Sequence, residues 1–204
     1  MKIIRFTSKK LEKIYNRGLV RNRRVEEKVK QIIDDVRIFG DEALIKYTKK
    51  FDGVKLVPKQ LKVSEIEISG AYQNISPNFV ASLKVIIENV NRFYRKVLKK
   101  SWRMKDADGV ILGENYTPLE KVGVYIPAGT APLVSTVYMT VLPAKLAGVK
   151  KIALISPPDK QGYINPHILV VANLLKVDEI YSVGGAQGIA ALAYGTKTIP
   201  RVDK

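Results

Sequence analysis

The chain has 204 residues, enough for one large domain or two small ones, and 46% apolar against 26% charged residues is the balance of a water-soluble globular protein. With no cysteine, disulfides and thiolate metal sites are excluded; Met1-Lys2-Ile3-Ile4-Arg5 lacks the apolar core and cleavage site of a signal peptide; no segment approaches the ~18 apolar residues of a membrane span. A cytoplasmic protein is expected, with a formal charge of +16 from 35 Lys and Arg against 19 Asp and Glu.

Before Gly123 the pattern is mostly helical. Leu11 to Arg17 reads as a short helix ended by Gly18. A longer one starts near Asn22 or Val25, with Val25, Val29, Ile32, Ile33 and Val36 as one apolar stripe, and ends at Gly40. Asp41 is placed to cap a third helix whose inner face is Ala43, Leu44 and Tyr47, closed by the Asp52-Gly53 turn. Leu61-Lys62-Val63 reads as a short extended segment. Ser64, Glu65 and Glu67 open another helix. Ser76-Pro77 opens the next, which runs to about Leu98, since proline in the first turn forfeits no hydrogen bond. From Asp106 to Pro118, short extended stretches and the Asp108-Gly109 turn read as a hairpin arm or loop.

After Lys121 the rhythm changes to alternating strand and helix. Val122 to Ile126, Lys151 to Ile155 and Glu179 to Val183 are short apolar strands. Val134 to Ala147, Asn165 to about Leu175 and Ala186 to Tyr194 are helices, the first ended by Gly148 and the second opened by Asn165-Pro166. This spacing makes a parallel α/β layer, and the continuous apolar runs suit a sheet covered on both faces.

Ligands of such sheets gather at the carboxyl ends of the strands. Here those ends are Pro127-Ala128-Gly129-Thr130, Ser156-Pro157-Pro158 and Gly184-Gly185-Ala186-Gln187. Small residues leading into helix N-termini suit an anion such as a pyrophosphate, and equally suit plain tight turns. Tyr125 offers a flat ring and a hydroxyl for a nucleotide or nicotinamide; as a packed aromatic it needs no ligand. Gln187 offers a donor and an acceptor to a carboxamide or ribose edge, or serves as a helix-start cap. GxGxxG, GxxxxGK[ST] and HExxH are all absent. His167, the one histidine, reads as a surface or helix-start residue. With no cysteine and one poorly placed histidine, neither a Cys–His nor a Ser–His–Asp arrangement is supported. Two basic runs, Arg21 to Lys30 and Lys96 to Lys105, hold a single aromatic, Trp102, so the stacking pattern of a nucleic-acid binder is missing and nucleic acid is not the expected partner.

Several motifs in order resemble histidinol dehydrogenases. Val122 to Pro132 is similar to that family's VGLYVPGGTAP, Pro143 to Val149 to its PAKVAGV, and Val183 to Thr196 to its VGGAQAIAALAYGT, with Ile199-Pro200-Arg201-Val202-Asp203-Lys204 continuing. Gly40 to Leu44 and Tyr47 to Val54 resemble its GDxAL and YTxKFDGV. The resemblance implies an α/β protein in which a helical N-terminal region precedes an incomplete Rossmann-like parallel sheet layer. It implies residues 1–20 as an N-terminal helical element, 21–124 as part of a large, mostly helical domain, and 125–204 as a Rossmann-like NAD-binding domain. It implies oxidation of L-histidinol to L-histidine through histidinal with NAD as cofactor, zinc, and a homodimer or pairing with a C-terminal portion. Tyr125, Pro127 and Gln187 fall at positions that contact the NAD. The family's zinc ligands (Gln, His, Asp, His) and its catalytic Glu–His pair lie beyond the position of Lys204, so no metal ligand or catalytic residue is carried over, and these 204 residues are expected to be inactive alone. Ala128 stands where the family usually has glycine, and Phe93-Tyr94 where it often has Phe-His. A non-catalytic nucleotide-binding module, or half of a split enzyme, is the alternative expectation.

Overall fold

The computed structural model describes residues 11–12, 15–16, 22–128 and 131–204. The first expected helix, ended by Gly18, lies partly outside the described residues.

Arg23–Phe39 forms helix α1. Asn22 sets its start: the side chain accepts from the backbone N–H of Val25 at 3.3 Å, satisfying one of the donors a helix N-terminus leaves free. The apolar stripe turns inward only toward its end, where Ile32 and Val36 are buried while Val25 is exposed. Gly40 adopts φ +53°, a turn that L side chains disfavour, and leads directly into α2, Asp41–Phe51. Asp41 does not cap that helix as expected. It is the first helical residue, and its carboxylate instead accepts from the hydroxyl of Thr198 at 2.6 Å and its backbone N–H at 3.4 Å. Two donors from a distant loop outcompete the local turn.

Helix α3, Glu65–Ala71, starts on a reciprocal box: Ser64 Oγ accepts from Glu67 N–H at 3.2 Å, and the Glu67 carboxylate accepts from Ser64 N–H at 2.9 Å. Helix α4, Pro77–Val97, follows the Ser76 cap. The hairpin is present as an antiparallel ribbon of β1, Trp102–Lys105, and β2, Ile111–Glu114, with every residue exposed. It begins earlier than expected, since Trp102 pairs with Glu114 and donates its indole N–H to that carboxylate at 3.2 Å.

The expected parallel layer is built from β3, Lys121–Tyr125, β4, Lys151–Ser156, and β5, Glu179–Ser182, in the order β3-β4-β5. Helices α5, Val134–Leu146, and α6, Pro166–Leu174, make the crossovers, and α7, Gly185–Tyr194, follows β5. Alternate strand residues enter two apolar clusters, as a period of two demands. Val124, Ile152, Leu154 and Ile180 join α3, α4, α5 and α6 on one face. Ala153, Ile155, Tyr181 and Val183 join α1, α2 and α7 on the other. Burying each large aliphatic contributes about 1.5–3 kcal/mol, so this double-sided layer is where the stability resides.

Both sheet edges are occupied. Leu61 to Val63 runs antiparallel to β5, with Val63 N–H donating to Ile180 at 2.9 Å and Ser182 N–H to Leu61 at 2.8 Å. On the far side, Asp203 N–H donates to Lys121 at 2.9 Å and Gly123 N–H to Lys204 at 2.8 Å, so residues 203–204 run alongside β3 in the same direction. The chain therefore goes β3, β4, β5 outward and then returns to the other side of β3. That reversal is a topological switch point at the carboxyl end of β3.

Candidate functional site

The three residues singled out by sequence all lie at this carboxyl edge. Tyr125 is the last residue of β3, half-buried against the cluster formed with α1 and α2. Ile126 continues the strand: its N–H donates to Ile155 at 2.9 Å and its carbonyl accepts from the buried Ser156 hydroxyl at 2.9 Å. Pro127, half-buried, then turns the chain out of the layer. Gln187 sits in the first turn of α7, beside Gly188, where a Cβ would stand 2.8 Å from Cδ1 of Ile155, the β4 residue paired with Tyr125. No hydrogen bond joins the three residues. They lie around the end of β4, and Tyr125 and Ala186, the neighbour of Gln187, pack on the same apolar cluster.

Gln187 is not the helix cap that its position allows. Its side chain makes no capping hydrogen bond. It is 1% exposed, and its Oε1 is buried without a hydrogen-bond partner. The carboxamide folds back over Gly185, whose φ is +62°; a Cβ on that glycine would stand 2.6 Å from Oε1. Among the described residues the backbone N–H groups of Gly185, Ala186 and Gln187 have no acceptor, Gly188 being the first in the helix to reach one, Gly184 O at 3.0 Å. An unpaired amide therefore lies beside the positive end of a helix dipole, at the mouth of a parallel sheet.

Sequence reasoning missed two residues at the same edge. Thr48 is fully buried, and both its Oγ1 and the Oδ2 of Asp52 lack partners. Burial pushes the Asp52 carboxyl above its ordinary pKa. The available signal was their spacing of four behind Leu44, which continues the inner stripe of α2 with polar side chains.

A cavity of about 740 Å³ opens at the opposite edge, between the end of α1, Gly40 and residues 195–198. Three of its polar groups are engaged: Asp41 by Thr198 at 2.6 Å, Lys62 by Glu179 at 2.7 Å, and Arg37 over the Tyr194 ring at 5.1 Å. The strand ends, with their unpaired groups, are the better candidate.

Zinc does not fit the residues present. Among the described residues no group of three or more His, Cys, Asp or Glu converges on a point that would hold a metal ion. His167 packs edge-on against Phe79 at 4.8 Å and its Nδ1 lies 3.2 Å from Asn165 Oδ1. A dinucleotide does fit, because the orphaned Gln187 carboxamide needs a partner of the kind a nicotinamide or ribose supplies.

The histidinol dehydrogenase family profile matches residues 15–204. The chain belongs to the histidinol dehydrogenase family. The histidinol dehydrogenase of Listeria innocua is 51% identical over 180 residues, covering 88% of this chain and 42% of that protein. That of Carboxydothermus hydrogenoformans is 47% identical over 203 residues, covering 100% of this chain and 47% of its own length. The crystal structure of histidinol dehydrogenase from Elizabethkingia anophelis superposes with a TM-score of 0.83 at 38% identity, over 88% of this chain and 41% of that one. The chain thus spans less than half the length of the histidinol dehydrogenases it matches. The match includes the helical first half as well as the motif-rich second half.

Proposed function

We propose that this chain carries the NAD-binding side of a histidinol dehydrogenase, an oxidoreductase of histidine biosynthesis that converts L-histidinol to L-histidine through histidinal. The observation that carries the reading is the buried, unpartnered carboxamide of Gln187 at the carboxyl edge of the sheet. Bound NAD⁺ supplies the hydride acceptor for each of the two oxidations. Gln187 would orient the cofactor through its amide, Tyr125 would lie against it as a flat wall, and Pro127 would fix the path of the chain beside it. The free N–H groups at the start of α7 suit the pyrophosphate. Ser156, held to Ile126 at 2.9 Å, keeps the β3 exit in place.

On this reading residues 125–204 form the cofactor domain, 21–124 part of a larger one and 1–20 a helical element. Zinc chemistry and acid–base catalysis belong to segments of the family that these residues do not match. The 204-residue polypeptide is therefore expected to bind NADH yet to show no NAD-dependent histidinol oxidation with zinc added; turnover by the purified polypeptide would overturn that division of labour. Gln187→Ala should weaken NADH binding about tenfold, because one hydrogen-bonding group is lost from a buried site. Fluorescence titration measures it.

No described helix is long and apolar enough to cross a membrane, which suits a cytoplasmic enzyme. Phe93 (64% exposed), Ile111 (64%) and Trp102 (48%) leave apolar surface on α4 and the β1–β2 ribbon. Such surface drives association. We accordingly expect the polypeptide to form a homodimer; light scattering at the mass of one chain would remove that expectation.

A further inference from the structure

Among the described residues, three buried side-chain polar atoms have no hydrogen-bond partner: Thr48 Oγ1, Asp52 Oδ2 and Gln187 Oε1. Each such group costs about 1–3 kcal/mol, so three in one protein call for a physical reason. Their positions in the fold are related.

Helix α2 runs along the sheet from its amino to its carboxyl edge. At its start, Asp41 is bound by Thr198, just past the end of α7. Just past its own end, Val54 lies 3.5 Å from where a Cβ on Gly162 would stand, in the loop that leaves the carboxyl end of β4. Ala186, in the first turn of α7, packs against the same apolar cluster that holds Leu44 and Val54. The last turn of α2 and the first turn of α7 therefore share the carboxyl edge. Leu44, Thr48 and Asp52, spaced by four, form one stripe; Leu44 and Thr48 are both 0% exposed, so that stripe faces inward.

We propose that Thr48 and Asp52 are further cofactor-binding residues, whose oxygens accept hydrogen bonds from neutral donors of the dinucleotide. The proposal rests on the NAD reading above. The chemistry of the set selects the donor. A phosphate brings only acceptors and negative charge, which Asp52 opposes. A ribose hydroxyl or a carboxamide N–H₂ brings donors without charge. Two of the three orphans, Asp52 Oδ2 and Gln187 Oε1, only accept, so the bound group must donate. Burial that disfavours the ionised Asp52 is offset once such a donor arrives.

The test uses Thr48→Val and Asp52→Asn in the 204-residue chain, with NADH titrations and thermal unfolding run in parallel. Thr48→Val keeps the shape and removes an unpaired hydroxyl. It should raise the unfolding midpoint by about 2–4 °C without ligand and weaken NADH binding about fivefold. Those opposite signs are the signature of a group held for a ligand. Asp52→Asn should weaken NADH binding about tenfold. Repeating the titrations with the reduced 3-acetylpyridine analogue, which lacks the carboxamide N–H₂, separates the sources. A penalty that persists identifies ribose, and one that vanishes identifies the carboxamide. Variants that bind NADH as tightly as the parent, or a Thr48→Val chain that melts lower and binds normally, would overturn the proposal alone. A parent chain that binds no NADH would overturn both it and the NAD reading.

Discussion

Gly185→Ala is expected to weaken NADH binding about tenfold or more and to destabilise the protein by about 1–3 kcal/mol, the cost of holding a side-chain-bearing residue in a left-handed conformation. Gly185 has φ +62° at the first position of α7. The added Cβ would meet Gln187 Oε1 at 2.6 Å and its Cδ and Nε2 at 3.2 Å. Gln187 is 1% exposed, so its carboxamide has no open solvent to swing into. The strain and the clash therefore fall on the same turn. The control is Gly70→Ala in α3, where nothing lies within 4 Å of the new methyl and φ is ordinary. That change should be neutral or stabilising by up to about 1 kcal/mol and leave NADH binding unchanged. Chemical denaturation and NADH titration of the two variants check both effects. Equal behaviour at 70 and 185 would mean that the turn at the start of α7 is not built as described.

The strands of the layer were legible because they are short apolar runs between turn signals, and β3, β4 and β5 lie within a residue or two of the expected segments. Caps made the helix starts legible too: Asn22, Ser64, Ser76 and Asn165 all accept the backbone donors expected of them. The assignment of helices to faces was not legible. Ile152 and Leu154 look like Ala153 and Ile155 in sequence, since a strand buried on both sides has no polar face to mark which helix it meets. Pairings across the chain were equally hidden: Asp41 with Thr198, Leu61 to Val63 along β5, and residues 203–204 along β3. Of the candidate site, the positions of Tyr125, Pro127 and Gln187 followed from their motifs. The burial of Gln187 did not, because a glutamine in a first helical turn ordinarily faces water. Thr48 and Asp52 were missed for a related reason. Polar residues in an amphipathic helix read as its solvent face, and only the burial of Leu44 and Thr48 reveals that this stripe points inward.

Ile155→Ala should cost about 2–5 kcal/mol, the range for removing a buried aliphatic from a packed core. That is a large fraction of the ~5–15 kcal/mol that holds a typical domain folded. Ile155 is 0% exposed in the middle of the sheet, within the cluster that includes Leu44, Ala190 and Ala191. A Cβ on Gly188 would stand 2.8 Å from its Cδ1, so the side chain fills the space where α7 comes closest to β4. Truncation opens a cavity directly under the turn that bears Gln187. Ile155→Val, which removes one methylene, should cost about 0.5–1.5 kcal/mol. Ile66→Ala on the outer face of α3, at 84% exposure, should stay within about 0.5 kcal/mol of the parent. Saturating NADH should recover part of the loss at 155, because a ligand that binds only the folded chain stabilises it in proportion to its concentration over Kd. The recovery should be smaller for Ile155→Ala than for Ile155→Val. The larger cavity loosens the seat of Gln187 as well as the fold, so affinity and stability fall together. Urea unfolding of the three variants with and without NADH measures both; an equal recovery in the two Ile155 variants would show that α7 is positioned independently of the core beneath it.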